Sequence, residues 1–197
     1  MKTAGIIGAG TMGSGIALCA AQHAFEVILF DTNDSVIAKA KSSIEKNLDQ
    51  LLSKNKITAE EKMAIEGRIK FTTKHEDCIA DIVIEAIIEK MEAKIDLFSK
   101  LASINPPSTI LASNTSSLSI DELQQHISHP ERVAGLHFFN PAQIMKLVEV
   151  VQGKQTSADT VDQLVSLCKH LNKTSVRCID APGFIVNRVA RHYYLEA

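Results

Sequence analysis

Three glycines near the start of the chain, Gly8, Gly10 and Gly13, stand at the spacing G-x-G-x-x-G and leave little freedom for what surrounds them. A short apolar run over residues 2–7 precedes them, and residues 12–23 read as a helix. A second β-branched and aromatic run, residues 26–31, ends in Asp31, eighteen residues after Gly13. Strand, glycine turn, helix and strand in this order make one βαβ unit of the length that dinucleotides use. In such a unit the first glycine permits the tight turn, the second lets backbone N–H groups approach a pyrophosphate, and the third lets helix and strand pack closely. The helix N-terminus then turns its positive end to the phosphates. The turn residues Gly8, Gly10, Thr11, Met12 and Gly13 are therefore the expected cofactor contacts, with Asp31 accepting from both ribose hydroxyls. A 2′-phosphate there would meet a carboxylate with no Arg beside it, which favours NAD over NADP. A glycine turn that serves packing alone, and an acidic strand-end cap, are the blander readings of the same residues.

The remainder continues the alternation of strand and helix. Residues 35–54 carry Val36, Ile37, Ala40, Ile44, Leu48, Leu51 and Leu52 at steps of three and four, predicting a long amphipathic helix. Thr58 with Glu61, and Ser119 with Glu122, read as capping boxes that open two further helices. Strands are expected at residues 69–72, 81–85, 109–113, 133–138, 147–151 and 175–179. Helices are expected at 91–103, before the Pro106-Pro107 break, and at 158–171. This order predicts an α/β fold: a Rossmann-like, mostly parallel sheet with helices on both faces. Pro182-Gly183 is the clearest domain punctuation, and residues 184–196 read as one more helix with an apolar face.

A length of 197 residues at 45% apolar content supports one well-cored domain. A net charge of -2 without long basic runs gives no electrostatic footprint for nucleic acid or an anionic membrane. Cys19, Cys78, Cys168 and Cys178 are scattered, with neither a C-x-x-C pair nor zinc-like spacing, so reduced thiols are expected. His126 and His129 lack a third ligand nearby, and no metal site is predicted. Met1-Lys2-Thr3 before an uncharged stretch resembles a secretion signal superficially. Gly5, Gly8, Gly10, Gly13 and Gly15 would each cost about 1 kcal/mol relative to Ala in a continuous helix, so a cytoplasmic chain is expected instead.

Removal of a hydroxyl proton while hydride leaves the same carbon calls for a base near neutrality, and histidine is the natural one. His137 ends a predicted strand on the side where ligands of doubly wound sheets collect. It reads either as that base or as a core histidine bonded to backbone. Glu149, twelve residues on between apolar neighbours, reads either as a carboxylate that orients the imidazole and favours its charged form, or as a solvent-facing acid on an edge strand. Residues 113–117, Ser-Asn-Thr-Ser-Ser, suit hydrogen bonding to a cofactor or substrate oxygen and would equally suit a turn.

Taken together, the stretch from Gly8 to Ala17, Ser113-Asn-Thr-Ser-Ser-Leu118 and His137-Phe-Phe-Asn-Pro141 resemble the 3-hydroxyacyl-CoA dehydrogenase family, in the subgroup that includes 3-hydroxybutyryl-CoA dehydrogenases. Met145-Lys-Leu-Val-Glu149 and Ala181-Pro-Gly-Phe-Ile-Val-Asn-Arg188 are similar to further signatures of that family. The resemblance implies that His137 is the base and Glu149 its partner acid, with Ser116 and Asn187 holding the substrate oxygen. It places NAD against Asp31, Glu89, Lys94, Ser116 and Asn140, and the CoA moiety against Lys54; from the residues alone, Glu89 and Lys94 are ordinary helix-start charges and Lys54 a solvated lysine. The implied reaction is reversible, NAD-dependent oxidation of a 3-hydroxyacyl-CoA thioester to a 3-ketoacyl-CoA in fatty acid or butyrate metabolism. Gln143-Ile144 departs from the family, which often has a second proline there. The resemblance also implies a Rossmann domain over residues 1–181, with residues 182–197 as the first helix of a helical domain that forms the family's dimer interface and closes the cleft.

Two other classes compete. One is a module of the same fold that holds NAD without turnover. The other is a β-hydroxyacid dehydrogenase in which a lysine supplies the acid/base group, which the His137 motif speaks against. Phe184, Ile185, Val189, Tyr193 and Tyr194 would seek apolar partners, so self-association into a homo-oligomer through the last helix is expected.

Overall fold

In the computed structural model, which describes residues 1–195, the backbone closes into one eight-stranded sheet with helices on both faces. Strand β1 (Thr3–Ile7) leads through the glycine turn to helix α1 (Thr11–Gln22) and strand β2 (Glu26–Phe30). A long helix α2 (Asp34–Ser53) and a short α3 (Ala59–Gly67) intervene before β3 (Ile69–Thr72). Then come β4 (Ile82–Glu85), α4 (Met91–Ile104), β5 (Ile110–Ser113), α5 (Ile120–Gln124), β6 (Val133–Phe138), β7 (Leu147–Gln152), α6 (Ala158–His170), β8 (Thr174–Ile179) and α7 (Val186–Leu195).

The strands lie in the order β3-β2-β1-β4-β5-β6-β7-β8. From β1 the chain winds outward through β2 to β3, then crosses back to lay β4 on the other side of β1. That reversal opens a crevice at the C-terminal ends of β1 and β4, where ligands of such sheets bind. Pairing is parallel except between β6 and β7, so β7 and β8 run against the rest. The stretch from residue 3 to 22, signal-like at first sight, forms a central strand and a helix with most of its residues buried. No helix among the described residues is long and apolar enough to cross a membrane.

Two apolar layers hold the sheet. On one face α1, α2 and α6 pack Ile16, Leu18, Ile44, Leu48 and Leu164 against Ile6, Leu29, Ile84 and Val150. On the other, α4 and α5 pack Leu97, Phe98, Leu101 and Leu123 against Ile7, Val83 and Leu111. α1 buries every residue from Gly13 to Ala21, and the absence of side chains at Gly13 and Gly15 lets it lie close against the Gly8 carbonyl and Ala142. The Thr58 box forms with both arms in place. At Ser119 only the serine arm matches expectation: its hydroxyl accepts from the Glu122 amide, while Asp180, at the end of β8, accepts from the Asp121 amide and from the Ser119 hydroxyl. A carboxylate from a distant strand thus does the work expected of a local side chain.

The last helix begins at Val186, two residues later than its apolar pattern predicts, because Gly183 and Phe184 take left-handed backbone angles (φ 73° and 45°). The four cysteines are free. Burial pushes the Cys78 and Cys168 thiols up to about 12 and the Cys178 thiol to about 11, so none supplies a thiolate near neutrality.

Close approach at the glycine turn admits a direct test. A Cβ on Gly13 would lie 1.7 Å from the Gly8 carbonyl oxygen. Gly13→Ala is expected to cost about 1–3 kcal/mol or more of stability, since the main chain has to move to accommodate the methyl; urea unfolding of both proteins measures it.

Candidate active site

The turn after β1 is open where a phosphate would lie and closed everywhere else. Gly8 adopts φ 99°, and a Cβ there would sit 2.5 Å from the Ala86 carbonyl oxygen. Gly10 is the N-cap of α1, has no side chain to occupy the first-turn amides, and faces empty space. Thr11 and Met12, the first residues of α1, therefore present backbone N–H groups at the positive end of the helix. Asp31 follows β2 directly; one carboxylate oxygen accepts from the Ala9 amide at 3.0 Å and the other from Asn33 at 3.0 Å. It so braces the turn and keeps lone pairs on both oxygens for further donors.

Cavities lie on both sides of Gly10. One of about 610 Å³ is walled by Phe30, Asp31, His75, Ile87 and Leu97, a mostly apolar slot beside the Asp31 carboxylate. Another of about 310 Å³ runs between α1 and α2, past Ser14, Lys39, Ser43 and Asn47, and reaches Asn140 and Gln143. Asn140 thus stands on a cavity wall. Lys54, at the C-terminal cap of α2, is exposed and lines neither cavity.

His137 and Glu149 face each other as a cross-strand pair of β6 and β7. Nδ1 of His137 lies 2.7 Å from a Glu149 carboxylate oxygen, and both side chains are buried. The edge-strand reading of Glu149 fails because β8 covers β7 and leaves the acid 1% exposed; the core-histidine reading fails because the ring bonds a carboxylate instead of backbone. The second Glu149 oxygen accepts from the amides of Ile185 and Val186, each at 2.9 Å. The left-handed turn at Gly183 and Phe184 aims those two N–H groups at one point, an anion nest built from backbone. The Phe139 and Phe184 rings flank the imidazole, with centroids 4.5 and 6.0 Å away. Phe184, expected to await an outside partner, is instead 3% exposed against Ile120 and Val151. Ile185 and Val189 remain exposed, while the Tyr193 and Tyr194 side chains lie outside the described residues.

With Glu149 ionised, the short contact puts the imidazole proton on Nδ1 and leaves the lone pair of the neutral ring on Nε2. Among the described residues Nε2 has no hydrogen-bond partner, so it can accept a proton from a ligand. Ser116 and Asn187 come together beside this site: the Asn187 side-chain amide donates to the Ser116 carbonyl at 3.1 Å. Asn114 ties the same loop to the end of β6 by accepting from the Phe138 amide at 2.8 Å.

Glu89 and Lys94 are not the loose charges that their place near a helix start suggests. Lys94 is 1% exposed and its ammonium pairs with Glu85 at 2.6 Å and Glu89 at 3.2 Å. Glu85 escaped sequence reading; the available signal was a lone acid closing an otherwise apolar strand. Lys173, the other buried lysine, donates to the Ala142 and Met145 carbonyls and clamps the loop that carries Asn140. Both ammonium groups are committed to fixed acceptors, which leaves the lysine-base alternative without a free lysine in the buried part of the site. No cluster of three metal-ligating side chains occurs among the described residues.

A doubly wound sheet with this glycine turn and an acid after β2 defines a dinucleotide-binding domain of the Rossmann class. The chain belongs to the 3-hydroxyacyl-CoA dehydrogenase family, whose NAD binding domain matches residues 3–181. It is 48% identical to a 3-hydroxyadipyl-CoA dehydrogenase of Escherichia coli over all of this chain and 42% of that protein. Identity to a probable 3-hydroxybutyryl-CoA dehydrogenase of Deinococcus radiodurans is 44%, over 98% of this chain and 69% of that one. A crystal structure of 3-hydroxybutyryl-CoA dehydrogenase from E. coli superimposes with TM-score 0.97 at 48% identity, over 99% of this chain and 42% of the other. The chain therefore spans about two fifths to two thirds of the length of such relatives.

One titration checks the loop beside the pair. Burial opposes ionisation of Glu89, but the Thr115 hydroxyl, the Lys94 charge and the Ser116 amide outweigh it and hold the carboxyl below the usual glutamate range. Because the folded value is lowered, this anchoring is complete above the ordinary glutamate pKa and is lost as pH falls through the lowered one. Thr115→Val should move the Glu89 midpoint upward, read by carboxyl carbon NMR; an unmoved midpoint would count against the hydroxyl's part.

Proposed function

We propose that the chain is the NAD-binding and proton-transferring part of a 3-hydroxyacyl-CoA dehydrogenase, interconverting 3-hydroxyacyl-CoA and 3-ketoacyl-CoA. The observation that carries this reading is the 2.7 Å His137–Glu149 pair on β6 and β7, next to the loop that brings Asn140 to the wall of the cavity at Gly10. The uncapped α1 terminus, the open face of Gly10 and the Asp31 carboxylate suit the pyrophosphate and ribose of NAD. When bound, the nicotinamide supplies the hydride acceptor.

His137 Nε2 takes the proton of the 3-hydroxyl as the carbon is oxidised and returns it in the reverse direction. Glu149 keeps the ring in the tautomer with Nε2 free and faces the positive charge that the ring acquires. Ser116 and Asn187, already joined, hold the substrate oxygen in reach of Nε2. Glu89, Lys94, Ser116 and Asn140 line the nicotinamide side, and Lys54 meets the CoA end. Residues 182–197 are read as the first helix of the family's helical domain. Exposed Ile185 and Val189 are read as the face through which it pairs with a second copy, and strictly monomeric light scattering at high concentration would overturn that pairing.

A second reading is NAD binding without turnover, since a fold that holds the cofactor does not by itself fix a reaction. An assay with acetoacetyl-CoA and NADH separates the two, for binding without oxidation of NADH supports the second. His137→Gln is expected to lower kcat by about 10²–10⁴-fold while leaving NADH affinity nearly unchanged. Free 3-hydroxybutyrate should not be turned over; turnover of the free acid alone would remove the CoA assignment.

A further inference from the structure

We propose that Glu85 is the positioning residue for the nicotinamide side of the crevice, acting through Lys94 and Ser113 on Glu89 and Ser116. The inference rests on the reading above that Glu89, Lys94 and Ser116 meet the cofactor, and extends it to a residue that itself touches no ligand cavity. Glu85 ends β4, the strand that flanks β1 where the strand order reverses, and its side chain is fully buried.

Every oxygen of that carboxylate is used. One accepts from the Lys94 ammonium at 2.6 Å and the Ile87 amide at 2.7 Å; the other accepts from the Ser113 hydroxyl at 2.6 Å. From these three donors the ties run outward. Ile87 belongs to the loop whose Ala86 amide donates to Ile7 and whose Ala86 carbonyl abuts Gly8, so the glycine turn and this loop share one support. The Ser113 hydroxyl also accepts from the Thr115 amide. Lys94 holds Glu89, and Glu89 in turn accepts from the Thr115 hydroxyl and from the Ser116 amide at 2.9 Å. Loops after β4 and β5 are thus pinned to one buried charge.

Two apolar side chains would fill the space of Glu85 and Lys94 without removing two ions from water, so the pair's value lies in where it places donors and acceptors. One ammonium between two carboxylates leaves the surplus negative charge on Glu89, whose side chain is 37% exposed and therefore available to hydroxyl donors in the crevice. Glu85 keeps Lys94 from neutralising Glu89 alone, which holds that outer carboxylate as an acceptor.

The test uses the 197-residue chain with Glu85→Gln, which removes the counter-charge and keeps the shape, and with Ser113→Ala, which cuts one tie and adds no buried charge. Backbone amide exchange is followed without ligand, and NADH and ADP-ribose affinities are measured by calorimetry. Exchange at residues 114–118 should accelerate about tenfold in both variants, and NADH should bind about tenfold more weakly, the loss of one buried hydrogen-bonded tie. In Ser113→Ala, which leaves the Ile87 amide on Glu85, exchange over residues 6–31 and the ADP-ribose affinity should stay near the parent values, because Ile87 is what joins Glu85 to the slot beside Asp31. Unchanged exchange at Ser116 in both variants, or equal losses for both ligands in Ser113→Ala, would overturn the proposal in favour of general packing. If Glu85→Gln fails to fold, Ser113→Ala decides by the same criteria. A parent protein that binds no NADH would count against the cofactor reading, while the exchange comparison would still decide the role of Glu85.

Discussion

The Glu149 carboxylate sits almost wholly out of water between three donors: the His137 imidazole and the amides of Ile185 and Val186. A charge so placed is tolerated only if its lone pairs are matched, and removing one partner of such a pair costs about 3–5 kcal/mol. Much of the molecule's local design follows from meeting that demand. β7 must run antiparallel to β6 to bring Glu149 opposite His137, β8 must cover β7 to keep water away, and the chain after β8 must turn left-handed to aim two amides at the free oxygen.

The same demand explains why Phe184 adopts a backbone conformation unusual for a bulky residue. Strain of that kind costs on the order of 1–3 kcal/mol and persists where surrounding contacts over-determine it. Here the contacts are the Phe184 ring against Ile120 and Val151, its neighbour ring His137, and the nest beneath it. A segment that a sequence reading assigns to another domain is therefore part of the acid–base apparatus, and the imidazole's orientation depends on residues 183–186 as much as on its own strand.

Buried charge recurs as the organising device on the other side of the crevice. Glu85, Lys94 and Glu89 knit the loops after β4 and β5, while Lys173 secures the loop after β6 through two carbonyls. In each case a long polar side chain reaches from one element to the backbone or acid of another. Apolar packing would hold the strands together equally well, but it would not set where individual amides and carboxylates point.

Local pattern alone was enough for the elements. The glycine spacing, the acid after β2 and the strand–helix alternation give the doubly wound sheet, with boundaries moved by a residue or two, because turn chemistry and apolar periodicity are properties of neighbours in the chain. His137 and Glu149 were visible as candidates for the same reason, each standing out against an apolar strand. Their meeting was not visible: it needs the register and direction of β7 relative to β6, which arise from pairing between strands. Lys94, which local reading treats with Glu89 as an ordinary helix-start charge, is buried between Glu85 and the half-exposed Glu89 only because α4 docks on β4, and Glu85 was invisible until that docking supplied its partner. Chain order thus determined which chemical groups exist and on which elements they ride, whereas burial and long-range hydrogen bonding, which depend on residues distant in the chain, decided which of them form a site.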